Sequence, residues 1–136
     1  MNDPLAAVLL IAAVLQLIIA VLNLNLARML HWKSDIARMP LLLREVFHVH
    51  SWFVSVTLII FAVMTARFAA AMADGSSEPL RWLAGAIGAF WTLRTILQVT
   101  YYDHSHWIGK RGRTAIHLLL LLLYGGMAAV YLVAAA

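Results

Sequence analysis

Four long apolar stretches, roughly residues 4–30, 41–73, 80–102 and 114–136, account for most of this chain and limit what it can fold into. Each reaches or exceeds the ~20 residues a helix needs to cross about 30 Å of hydrocarbon. The rest of the composition agrees. Of 136 residues, 64% are hydrophobic and 12% charged, and the mean hydropathy is +0.88. A soluble globule normally has about a quarter of its residues charged, so this chain has too few to coat one. The expected fold is all-α and integral to the membrane: a single four-transmembrane-helix domain, up-down-up-down, with the lipid bilayer as its first partner.

The boundaries carry recognisable signals. Pro40 and Pro79 stand where a first helical turn tolerates proline, Asp74-Gly75-Ser76-Ser77 supplies a polar turn, and Gly109 and Gly112 break the chain before the last stretch. Short connections make successive helices antiparallel neighbours, which places both termini on one side and the second and fourth spans diagonally across the bundle. Ala84, Gly85, Gly88 and Ala89 on the third stretch and Gly125, Gly126 and Ala129 on the fourth are candidate contact stripes, because small residues let helices approach closely in lipid.

Basic residues give the orientation. One side carries Arg28, Lys33, Arg38, Arg44, Lys110, Arg111 and Arg113; the other carries Arg67 and Arg81, beside Asp74 and Glu78. The positive-inside rule puts the seven-residue side in the cytoplasm and both termini outside, in what reads as a bacterial inner membrane. The N-terminal sequence Met1-Asn2-Asp3-Pro4 lacks a basic region, so the first stretch is expected to remain as a helix rather than to be cleaved. The basic balance is accounted for by topology, and no basic helix or RNA-binding aromatic motif accompanies it, so nucleic acid is not an expected partner. With no cysteine, disulfides, thiolate ligands, iron–sulfur clusters and covalent haem attachment are excluded.

All six histidines, His31, His48, His50, His104, His106 and His117, fall at the cytoplasmic end of these spans. Glu45, His48 and Trp52 share a helical face by three-and-four spacing, with Arg44 beside them and His50 turned away. Arg94, Gln98 and Tyr101 share a face of the third span, and Arg113, His117 and Tyr124 a face of the fourth. His48, Gln98 and His117 are expected at similar depth. A guanidinium as deep as Arg94 costs roughly 2.5–3.5 kcal/mol on insertion scales, so it should face inward to a partner: Glu45, or an anionic group of a ligand.

Three functions use these residues. The favoured one is a membrane redox protein that binds haem b through His48 and His117, with Arg44, Arg94, Arg113, Gln98 and Tyr101 around the cofactor and a membrane redox partner or complex for electron exchange. The second is a non-haem iron, zinc or copper enzyme using Glu45, His48, His117, His104 and His106; a carboxylate-bridged di-iron centre is disfavoured because the Glu-x-x-His spacing occurs once. The third is a structural or assembly subunit whose histidines and tryptophans, Trp32, Trp52, Trp82, Trp91 and Trp107, mark the lipid interface.

Overall fold

The structure, a computed structural model, describes residues 3–29, 33–100 and 111–136. Every regular element among them is helical: α1 (Pro4–Met29), α2 (Lys33–Ala37), α3 (Leu41–Asp74), α4 (Glu78–Thr100) and α5 (Arg111–Ala135). The four long helices coincide with the four apolar stretches to within a few residues. The short helix α2 lies in the connection between the first two apolar stretches. Three segments, Pro4–Asn25, Leu41–Asp74 and Thr114–Ala135, are long and apolar enough to cross a membrane. Helix α4, which carries Arg94, Gln98, Thr92, Thr95 and Thr100, is the least apolar of the long ones.

The helix ends follow from local chemistry. Asp3 Oδ1 accepts from the Leu5 amide at 2.9 Å at the start of α1, where an acidic side chain satisfies an orphan N–H. The Pro40 carbonyl accepts the Arg44 amide at 3.0 Å as α3 begins. Gly75 ends α3 with φ +71, a left-handed conformation that a side chain would strain. At Phe68 the backbone of α3 leaves helical values, with φ −117 and ψ 16.

The chain divides near that residue into two compact units, Met1–Leu9 with Phe68–Ala136, and Leu10–Arg67. In the Leu10–Arg67 unit, α1 buries Ala12, Ala13, Gln16 and Ala20, while α3 buries Ser55, Leu58, Ala62 and Thr65. Both sets recur at three-and-four spacing. The two helices are joined by a polar clasp. Asn23 Nδ2 donates to the Ser51 carbonyl at 3.0 Å and to Ser55 Oγ at 2.9 Å, and Ser55 Oγ donates to the Ala20 carbonyl at 3.0 Å. Ser55→Ala removes the hydroxyl that stands between Asn23 and Ala20. We expect a loss of about 1 kcal/mol in thermal unfolding in detergent, near the value of a hydrogen bond between membrane helices.

In the other unit α4 and α5 pack antiparallel along their length. Helix α4 buries Ala84, Ile87, Gly88, Trp91 and Gln98, and α5 buries Tyr124, Met127, Ala128, Tyr131 and Ala134. A Cβ on Gly88 would stand 2.9 Å from Leu132 Cδ2 and 3.2 Å from the Leu132 backbone nitrogen, and one on Gly85 would stand 3.6 Å from Ala135 Cβ. The small-residue seam is therefore real at Ala84, Gly85 and Gly88. Ala89, Gly126 and Ala129 are exposed instead, one helical step away from the contact. At the end of the seam, Arg81 Nε donates to the Ala135 carbonyl at 3.3 Å.

Large apolar side chains cover the outside of the helices, as at Leu42, Phe53, Leu119 and Leu122, while Gln16, Ser55, Thr65 and Gln98 are buried. Threonines outside the buried core follow the same economy of polar groups: Thr57 Oγ1 donates to the Phe53 carbonyl at 2.8 Å and Thr100 Oγ1 to the Ile96 carbonyl at 2.8 Å. Among the described residues no buried side-chain nitrogen or oxygen lacks a partner.

Candidate functional site

The site grows from one face of α4 and the facing side of α5. Arg94 and Gln98 are one helical turn apart, so their side chains lie along the same ridge. Arg94 Nη1 donates to Gln98 Oε1 at 3.0 Å. Gln98 Nε2 lies 2.9 Å from His117 Nδ1 on α5. The Arg94 guanidinium carbon also sits 4.7 Å from the centre of the Tyr124 ring, a cation–π distance. Tyr124 stacks in turn on Trp91, with centroids 5.3 Å apart and planes 24° from parallel. Phe90 meets Trp91 edge-on at 5.3 Å.

The cluster lies near one end of the helix pair. Arg94 is six residues before the last residue of α4 and His117 six after the first of α5, each about 9 Å along its axis at 1.5 Å per residue. Gln98 is only 2% exposed, and Arg94 and His117 are half-buried. A charged guanidinium, an amide and an imidazole are thus placed in line, flanked by two aromatic rings. Such an arrangement can hold an anionic or carbonyl oxygen and can orient the imidazole that receives it.

The sequence reading named Arg94, Gln98 and His117, and the structure brings these three together. Tyr124, on the His117 face of α5 by its spacing, joins them through its contact with Arg94. The sequence reading grouped Trp91 with interface tryptophans; at 2% exposed it is an interior residue and the platform for Tyr124. The available signal was spacing: Trp91 precedes Arg94 by three residues and Gln98 by seven on one helical face.

The remaining candidates are placed differently. His48 is exposed on α3 and meets the neighbouring Phe47 ring edge-on, with centroids 5.8 Å apart. Arg44 is half-buried and Glu45 exposed. Glu45 and His50 line a shallow hollow on α3 with Leu42, Val46, Val49 and Phe53, and His48 is not part of its wall. His31, Tyr101, His104 and His106 lie outside the described residues, as does the side chain of Arg113. Among the described residues no group of three or more histidine or carboxylate side chains is gathered as a metal would require. Comparison with protein-family models, curated proteins and solved structures finds no match.

Proposed function

We propose that this chain is an integral membrane protein whose four long helices cross the bilayer, and that its working centre is the Arg94–Gln98–His117 cluster, which serves a redox cofactor or substrate presenting an anionic or carbonyl oxygen. The observation that supports this reading is the hydrogen-bonded line itself, built on α4 and α5 where most neighbours are apolar. Ionisable groups are retained at membrane depth chiefly where a ligand, ion or proton is handled. The outward display of leucine, valine and phenylalanine supports the membrane setting.

Haem b is the specific cofactor we propose. Its propionates would suit Arg94, with Arg113 as a further cation, and its iron would suit imidazole from His117; Arg44 and His48 are the further candidates that the sequence offers. Purified in detergent, the protein is expected to show a Soret band that is lost in His117→Ala and in His48→Ala. A metal content without that band would favour a non-haem centre using Glu45 and the histidines. A colourless, metal-free protein would withdraw the redox reading.

Orientation has its own test. The absence of native cysteine makes single-cysteine labelling clean. With both termini outside, Ser76→Cys reacts with an impermeant external reagent in intact cells and Ser34→Cys does not. The reverse pattern would invert the topology.

A further inference from the structure

Arginine forces the order of donors and acceptors along the cluster. A guanidinium has N–H groups and no acceptor, so the Gln98 atom 3.0 Å from Arg94 Nη1 has to be the amide oxygen. The Gln98 NH2 then faces His117, and Nδ1, 2.9 Å away, has to accept. A neutral imidazole has one accepting nitrogen and one N–H, which leaves the ring proton on Nε2.

We propose that Gln98 is a positioning residue that carries the donor-only character of Arg94 across to His117 and fixes the imidazole as its Nε2–H tautomer. The proposal rests on the reading of this cluster as the working centre, and it narrows the ligand chemistry there. A group meeting Nε2 in this arrangement is a hydrogen-bond acceptor: a carbonyl, carboxylate or phosphate oxygen. A metal ion or a haem iron would need a lone pair at Nε2 instead. Histidines that bind metal through one nitrogen usually donate the other N–H to an acceptor. Gln98 can offer His117 an acceptor only by turning its amide over, which would set its NH2 against the Arg94 guanidinium. Because Gln98 is buried, that clash of donors is felt in a low-dielectric setting. Ligation of iron by His117 is thereby coupled to release of Gln98 from Arg94, as when an anionic group of the cofactor takes the guanidinium.

The test is the protonation pattern of His117 in the full chain, labelled with 15N-histidine in detergent and observed by long-range proton–nitrogen correlation. The His117 signals are assigned by their loss in His117→Asn. We expect unprotonated Nδ1 and protonated Nε2 in the wild type and in Arg94→Lys, which keeps a donor-only partner. In Gln98→Glu the carboxylate accepts from both sides, so Nδ1 should become protonated. Zinc chloride, titrated into that variant, should bind about tenfold or more tightly than to the wild type, a gain that disappears when His117→Asn is added. Protonated Nδ1 in the wild type, or an unchanged pattern in Gln98→Glu, would overturn the proposal. Should Gln98→Glu fail to fold, Arg94→Met supplies the same reading: a mixed tautomer population is expected and a pure Nε2–H form would count against the relay. The absence of any bound cofactor would remove the redox reading and leave this tautomer result standing on its own.

Discussion

Gly88→Ile is expected to pry α4 from α5 and to lower the stability of the protein by at least the roughly 1–3 kcal/mol typical of overpacking. The reason is what surrounds the missing side chain. A Cβ there would come within 2.9 Å of Leu132 Cδ2, which could rotate away, but also within 3.2 Å of the Leu132 backbone nitrogen, which moves only with its helix. Isoleucine adds three more carbons beyond that Cβ, so the crowding can only increase. Gly126→Ile is the matched control: it also lies in a long helix, is exposed, and has nothing within 4 Å of its Cβ position. Thermal unfolding in detergent, followed by far-ultraviolet circular dichroism, should show a clear drop for Gly88→Ile and a near-native transition for Gly126→Ile. Equal transitions would mean that the two helices are held apart from the close approach described above.

The contrast between those two glycines shows what the sequence discloses and what it withholds. Helix existence is legible because an apolar stretch of this length has few alternatives, and the ends at Pro40, Gly75 and Pro79 are set by local backbone chemistry. Which face of a helix packs is harder to read. A helix that is apolar all round gives little amphipathic contrast, and a shift of one residue turns the face by about 100°. That is why Gly88 and Gly126 are equivalent as small residues in the sequence, while only Gly88 is buried in the helix contact. Polar side chains in apolar stretches escape this ambiguity, since each must find a partner. Arg94, Gln98 and His117 could be grouped from depth and spacing alone. Their internal order could not, because it depends on which atoms lie within 3 Å of one another. The clasp of Asn23 with Ser51 and Ser55 carries the same signal, polar residues on two apolar helices.

Tryptophan supplies the second large effect. Trp82 and Trp91 are nine residues apart on α4, and composition alone offers no ground to treat them differently. Trp82 is 75% exposed and Trp91 2% exposed. Trp82→Ala should therefore leave unfolding nearly unchanged, since its ring is not packed within the protein. Trp91→Ala opens a cavity the size of an indole, for which cores typically lose about 3–5 kcal/mol. The loss also reaches the site. Tyr124 rests on Trp91, and the Arg94 guanidinium rests on Tyr124, so without the indole the phenol can sink into the vacated space and draw Arg94 out of line with Gln98. Trp91→Phe keeps an aromatic platform of smaller area and should recover part of the stability. The His117 tautomer gives a second readout: it should become mixed in Trp91→Ala and return to the wild-type form in Trp91→Phe. A Trp91→Ala protein that loses stability while His117 keeps its pure Nε2–H form would show that Arg94 and Gln98 hold their alignment without the aromatic stack. Trp91 would then be a packing residue alone.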